Sequence, residues 1–406
     1  MRILYVTTGI STPPAHGSQI RRWNVLQGLL AAGSTDALIL CRHGQAEELQ
    51  AFDGCEHCFP IDLRLIESSL QTERFRSTIG RGLLTLTSAL PFEFQYPHLA
   101  KLSDEVAKVV DFRNYDLVWF NTAHTAMAFR EMPCGVTILD GDDFEYVRES
   151  SLLWSSPWYG AKVFNYVNVA KLWWWERSFS KAHAVVVRCS DVDRARQPAP
   201  NVIVIPNGAN IPEHCSRAAE RRLLFVGLMS YPPNSQAIEW FLTRIWPRIR
   251  REVPDAACDI VGKQPPLSIA DEHGCNGVEV HGFVNDLAPF YQKAATTIVP
   301  LRAGSGTRLK ILESLAHAVP VVSTTLGACG IEAQASEGLM RCDSEAEFAA
   351  QCISHLRNPL AYQEHAFAGR EFVREHYDWR AIQMQVAELV RGAAVANAAT
   401  QVVLAR

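Results

Sequence analysis

The chain predicts an α/β protein of two doubly wound domains facing a central cleft, and three observations carry that reading. Short β-rich apolar runs alternate with helical apolar stripes along most of the chain. The alternation breaks at Ile205-Pro206-Asn207-Gly208-Ala209-Asn210 and restarts after a polar stretch ending near Arg221. A length of 406 residues also suits two or three domains at roughly 150 residues each. The expected division is 1–210, 211–377 and a last helix, 378–406, that returns to the first domain.

Each element follows from its own residues. RILYVTTG is a strand ended by a turn residue. Ser18–Ala32 places Ile20, Trp23, Leu26 and Leu30 at helical spacing and stops at Gly33, and Ala37–Leu40 is the next strand. Strands are expected again at Asp116–Phe120, Val136–Leu139, Ala184–Val187 and Val202–Ile205, with helices from about Ala123 and over Ala170–Ala182. Beyond the joint come LLFVG, a helix over Ser235–Arg250, CDIVG, VEVHGFV, TTIVP, a helix over Thr307–Ala318, and VPVVST. Strand–helix alternation of this kind makes parallel, Rossmann-like sheets wrapped by helices. Asp378 is placed to cap the last helix, whose stripe is Trp379, Ile382, Val386, Leu389 and Val390.

Composition narrows the function. Apolar residues are 48% and charged residues 20%, so disorder is excluded as the main theme. Lys+Arg 39 against Asp+Glu 43 leaves −4, which argues against nucleic acid as a partner. No run reaches the roughly 18 apolar residues of a spanning helix, and Met1-Arg2 leads directly into a strand rather than a leader. Eleven scattered cysteines suit reduced thiols. The expected location is the cytoplasm. The Cys55–Cys58 pair has no second metal-ligating pair after it, so no metal site is expected. Trp173-Trp174-Trp175 is expected to pack its helix on the sheet.

In open α/β sheets ligands sit at the carboxyl ends of the strands, and three loops there have the right chemistry. Thr8–Ser18 contains Gly17 beside a helix N-terminus. Gly227–Asn234 follows the first strand of the second half, with Asn234 or Ser235 as the expected N-cap. Gly304-Ser305-Gly306-Thr307-Arg308-Leu309-Lys310 precedes Glu313, joining two glycines, two cations and a half-buried carboxylate within ten residues. Bare backbone amides and cations at a helix start suit an anion.

The IPNGAN joint, the IVG and VHGFV segments, and GSGTRLKILESLAHAVPVVSTTLGACGIE resemble the GT-B glycosyltransferases, specifically retaining family 4. YPPNSQAIEWF and the GSGTRLKILE loop are most similar to its bacterial polysaccharide-biosynthesis sugar transferases. The resemblance runs over essentially the whole chain and is strongest from Leu223 to Glu332. It implies a GT-B architecture with a nucleoside-diphosphate sugar, of UDP or GDP type, bound in the second domain as substrate, and no further cofactor. The acceptor, a glycan or a lipid-linked molecule, would bind in the first domain.

Carried onto this chain, Glu313 matches the second Glu of the family's E-x7-E motif and would hold the donor ribose. Ser305 stands where the first Glu is expected, so its task would pass to backbone amides of Gly304, Ser305, Gly306 and Thr307 or to another residue. The family's Arg and Lys after the first strand of that domain are absent from Leu228–Asn234, which leaves the diphosphate to Arg308 and Lys310. Gly227 and Asn234 would line the donor, and Gly262, Phe283 and Val284 would flank the base. Gly17 would face phosphate and acceptor. His124, Asp140 and Asp142 are the catalytic candidates. Asn121 occupies the family's histidine position by spacing, and His124 follows three residues later. In retaining enzymes of this type the leaving diphosphate can itself take the acceptor proton. Arg64–Tyr96, with Arg74, Arg76 and Arg81 among Leu and Phe, would touch the inner membrane face peripherally. Two other readings stay open: a sugar-nucleotide epimerase of GT-B fold, and a degenerate, non-catalytic glycan-binding protein.

Overall fold

The computed structural model describes residues 1–9, 17–41, 52, 54–62, 86–91, 99–129, 132, 135–155 and 162–404. They form two compact units, Met1–Pro206 with Arg380–Arg406, and Asn207–Trp379. Arg64, Arg74, Arg76 and Arg81 lie outside the described residues, as does the loop before Gly17 from residue 10 onward.

The first unit runs β1 (Arg2–Thr8), α1 (Gly17–Ala32), β2 (Ser34–Cys41), β3 (Cys58–Asp62), α2 (Leu99–Ala107), β4 (Leu117–Phe120), α3 (Ala123–Ala128), β5 (Val136–Asp140), α4 (Glu145–Ser155), α5 (Lys162–Phe179), β6 (Val185–Arg188), α6 (Asp191–Arg196) and β7 (Val202–Val204). Its sheet is parallel throughout, in the order β3-β2-β1-β4-β5-β6-β7. Ile3, Leu4, Tyr5 and Val6 are all fully buried, as a parallel strand covered on both faces requires. Strand β3 turns Phe59 and Ile61 toward the core but carries Pro60 between them, so the sequence hides it. It survives because it is an edge strand, where Pro is tolerated. Of the tryptophan run only Trp175 is buried, while Trp173 and Trp174 are exposed, so that run packs less than expected.

The second unit runs β8 (Arg222–Val226), α7 (Pro232–Trp240), a π-helical segment (Phe241–Ile245), α8 (Trp246–Glu252), β9 (Ala257–Val261), α9 (Leu267–Ala270), β10 (Val278–Gly282), α10 (Ala288–Lys293), β11 (Thr296–Val299), α11 (Leu309–Ala316), β12 (Val321–Ser323), β13 (Leu339–Arg341), α12 (Glu345–Arg357) and α13 (Gln363–Tyr377). Its parallel sheet is ordered β10-β9-β8-β11-β12-β13. The helix expected over 235–250 starts earlier and is broken by the wider π turn. Pro232 and Pro233 suit a first turn, whereas Pro247 has no N–H and its ring opposes the carbonyl four residues back. Ala209 N donates to Tyr377 O at 2.8 Å and Trp379 N to Ala209 O at 3.3 Å. These bonds tie the Asn-Gly joint to the second unit, so the first ends at Pro206 rather than Asn210.

Helix α14 (Trp379–Leu404) belongs from Arg380 onward to the first unit. A Cβ on Gly28 of α1 would stand 2.7 Å from Val386 Cβ and 2.8 Å from Gln383 O, so the two helices cross where glycine lets them touch. Gln383 Nε2 donates to Asn24 Oδ1 at 2.7 Å beside that crossing. Ile382, Val386 and Val390 are buried, as their spacing predicts.

One core residue makes the second unit acid-sensitive. His355 is fully buried in α12, 3.9 Å from the Tyr362 ring centre. Its Nε2 meets Gln351 Nε2 at 3.1 Å, whereas its Nδ1 has no partner among the described residues. Burial pushes its pKa down to about 3. The unfolded chain therefore takes the proton first. Stability from the neutral ring is complete above the unfolded value, about 6.5, and is lost as pH falls from there toward 3. The loss should approach about 3 kcal/mol at pH 4. His355→Phe should flatten this slope in urea titrations between pH 7 and 4. An unchanged slope would show that His355 is not its source.

Candidate functional site

Strand order locates the crevice in the second unit. The chain direction along the sheet reverses between β8 and β11, so the loops after these neighbouring strands diverge and leave a crevice at their carboxyl ends. Those loops are Gly227–Tyr231 and Pro300–Arg308, and they meet. A Cβ on Gly304 would lie 2.9 Å from Arg308 Nη2, 3.3 Å from Tyr231 Oη and 3.5 Å from Pro233 Cβ. Gly304 and Gly306 have φ of 108° and 76°, a region that disfavours side chains. The backbone can therefore turn tightly beside Tyr231 and Pro233.

The loop residues are held from both sides. Arg308 is the N-cap of α11, one residue before the helix, and its Nη1 donates to Ser305 O. Three buried side-chain atoms here lack any partner among the described residues: Ser305 Oγ, Thr307 Oγ1 and Arg308 Nε. Buried polar atoms are nearly always satisfied. Here three such atoms fall within four residues.

Lys310 reaches across to α7. Its Nζ donates to Asn234 Oδ1 at 3.0 Å and lies 4.1 Å from the centre of the Phe225 ring. Asn234 Nδ2 in turn donates to Leu228 O at 2.8 Å. Asn234 is thus a strut inside the first turn of α7, not the expected cap; Tyr231 holds the N-cap position. Burial, then Arg308, pushes the Lys310 ammonium down to about 7, while Glu313 pulls it the other way.

Glu313 is half-buried one turn into α11. Tyr291 Oη donates to its Oε2 at 3.5 Å, and the Tyr291 ring stacks on His317 at 4.5 Å between centres. Burial pushes the Glu313 carboxyl up, with Tyr291 and Lys310 pulling down. Sequence reasoning missed Tyr291, which comes from a different helix at no recognisable spacing.

Gly262 permits the closest backbone approach in this unit: a Cβ there would sit 1.7 Å from Gly227 O. Gly282 follows on β10, and Phe283 beyond it is 51% exposed with Lys263 Nζ 4.2 Å from its ring centre. Val284 packs beside Tyr291 and Val261. The residues at 227–234, 262–263, 283–284 and 304–313 thus follow four strands, β8, β9, β10 and β11, at their carboxyl ends.

The first unit reverses between β1 and β4 in the same way. Gly17 is the first residue of α1. Thr7 Oγ1 donates to Asn121 Oδ1 at 3.4 Å across this point, and Asn121 is buried. His124 sits in the first turn of α3, capped by Thr122. It is half-buried; burial, then Arg148, pushes it down to about 4, so it is neutral near pH 7.

Asp140 has a different task from the one expected. It is fully buried, and Arg21, 1% exposed, takes both its oxygens, with Nη2 at 2.7 Å and Nε at 3.2 Å. The same guanidinium donates to Ile205 O and Pro206 O at 3.3 Å. A carboxylate so enclosed binds the ends of β5 and β7 and α1 together and is closed to a substrate. Desolvation works against the charge on Arg21, but Asp140 outweighs it and raises the guanidinium. Asp142, two residues on, remains half-exposed.

Asp36, Glu56 and His57 bring ligand atoms within 4.8 Å of one another. Asp36, however, already accepts from Tyr115 Oη at 2.7 Å and from His57 N at 3.0 Å. Among the described residues no helix is long and apolar enough to cross a membrane.

Residues 220–358 match the family model described as glycosyl transferases group 1. An uncharacterized 44.6 kDa protein in the cps region of Klebsiella pneumoniae is 29% identical over 165 residues, which are 38% of this chain and 42% of that protein. The match therefore spans well under half of the relative's length. Sucrose-phosphate synthase from Thermosynechococcus elongatus has a similar structure, with TM-score 0.69, 15% identity, and coverage of 98% of this chain and 100% of that one. Anabaena HepE, solved in complex with UDP and glucose, gives 0.62 at 14% identity, covering 97% of this chain and 100% of its own. Two parallel Rossmann-like sheets with this likeness make the fold GT-B.

Proposed function

We propose that this chain is a glycosyltransferase that moves a sugar from a nucleoside diphosphate, of UDP or GDP type, to a glycan or lipid-linked acceptor. The observation that carries the reading is the cluster of unpartnered polar atoms at Ser305, Thr307 and Arg308, set at the carboxyl ends of β8 and β11 beside Lys310 and Glu313. The group 1 match covers these residues, and the HepE complexes with UDP support a nucleotide there. The cps-region relative supports a place in surface polysaccharide synthesis.

In this reading Glu313 accepts hydrogen bonds from the ribose hydroxyls, with Tyr291 fixing its carboxylate. Arg308 and Lys310 face the diphosphate, and amides of Gly304–Thr307 meet the leaving oxygens as negative charge develops there. Gly262, Phe283 and Val284 border the base. The first unit supplies the acceptor side, with His124 and Asp142 as its polar groups and Gly17 at the start of α1. A neutral His124 can accept a proton near pH 7. Sugar transfer would proceed with retention of the anomeric configuration and without a divalent metal, Lys310 and Arg308 bringing the positive charge. Contact with the membrane's inner face would come from the Arg64–Tyr96 segment.

Turnover of UDP- and GDP-sugars in EDTA tests this directly, with NMR of the first-formed product. The donor's anomer is expected. An inverted product would overturn retention, and no activity until a metal is added would overturn metal independence. Glu313→Gln should weaken nucleoside-diphosphate binding by about 2–3 kcal/mol, the cost of stripping one partner from a buried charged hydrogen bond. A folded Glu313→Gln protein that binds as tightly as wild type would remove the ribose role.

A further inference from the structure

Lys310 is held in a setting that suits an amine awaiting an anion. Its Nζ lies against the Phe225 ring face and donates to a neutral amide oxygen, Asn234 Oδ1, instead of to a carboxylate. A Cβ on Gly227 would come within 2.8 Å of this Nζ, so the strand end closes over it. The Arg308 guanidinium and the orphan hydroxyls of Ser305 and Thr307 belong to the same loop. Resting on the function proposed above, we infer that a diphosphate docking on this loop is accompanied by transfer of a proton from the bulk buffer onto Lys310 Nζ, converting a neutral amine to the ammonium that pairs with it.

The charged neighbours are few. Arg308 and Glu313, both from the α11 segment, act on Lys310 in opposite senses. The β8 and α7 side presents Phe225, Gly227 and Asn234, none of which titrates. From α10, Tyr291 bonds to Glu313. With Lys310 pushed down to about 7 in the empty site, most of it is neutral at pH 8. A dianionic neighbour favours the charged form and raises that value on binding. Linkage then requires proton uptake, and affinity must fall with rising pH above 7, approaching tenfold per pH unit.

Calorimetric titration with UDP, and with GDP in parallel, reads this at pH 8 in two buffers of different ionisation enthalpy. The terminal phosphate of the ligand is already ionised at that pH. The wild-type chain should take up close to one proton per nucleotide bound. Lys310→Arg cannot lose its charge, so it should bind with no uptake. Lys310→Met should also show no uptake and bind about 100-fold more weakly, with thermal melting as the check on folding. Binding by wild type without uptake, or uptake that persists in Lys310→Met, overturns the inference and leaves the nucleotide site standing. Failure of wild type to bind either nucleotide overturns both.

Discussion

Arg21→Met is expected to destabilise the first unit by about 3–5 kcal/mol, because it leaves the Asp140 carboxylate buried without its partner. Asp140 accepts three hydrogen bonds from Arg21 and is fully buried, so water cannot replace them. The carbonyls of Ile205 and Pro206 would lose donors as well. The double variant Arg21→Met/Asp140→Leu should recover most of the loss, since an apolar pair often substitutes for a buried ion pair with little cost. Urea unfolding of both variants measures this. If the single variant matched wild type, or the double variant were worse than the single, the pair would not be the clamp described here.

Gly262→Ala should be as damaging, through backbone rather than charge. The added Cβ would overlap Gly227 O at 1.7 Å, and neither atom has a side-chain torsion with which to move. Gly227 N donates to Val261 O at 2.9 Å and Gly262 N to Gly282 O at 2.7 Å, so relief means parting β8, β9 and β10 at their carboxyl ends. A cost of about 3 kcal/mol, the upper range for overpacking, is expected. Nucleotide binding should fall with it, because the displaced Gly227 loop carries the Lys310–Asn234 contact. Gly392→Ala is the control: nothing lies within 4 Å of its Cβ, and alanine in an exposed helix should gain up to about 1 kcal/mol. Equal urea midpoints for Gly262→Ala and wild type would refute the clash.

The parallel sheets were legible because buried strands on both faces read as continuous apolar runs, as at Leu223–Val226 and Ile3–Val6. Helix α11 and its loop were legible because glycines, cations and a carboxylate fall within ten residues of one another. The edge strands β3 and β13 were not, because β3 is interrupted by Pro60 and β13 has only three residues. Helix starts moved by a few residues wherever proline chemistry or a loop contact outweighed capping preference, as at Tyr231 and Arg308.

What the amino-acid sequence determined by itself is local: where strands and helices alternate, where the chain changes unit, and which loop carries charge beside glycine. Such features arise from neighbours within a turn or two, and periodicity records them. The partners of each charge were decided only by tertiary structure. Arg21 and Asp140 are 119 residues apart in the chain, as are no two members of a helical face, and their pairing encloses the Asp140 carboxylate. Lys310 and Asn234 meet across 76 residues, and Tyr291 reaches Glu313 across 22. Desolvation depends on everything that surrounds a group from other elements, so whether a charged side chain is a clamp, a strut or a ligand contact is settled when the sheets close around it.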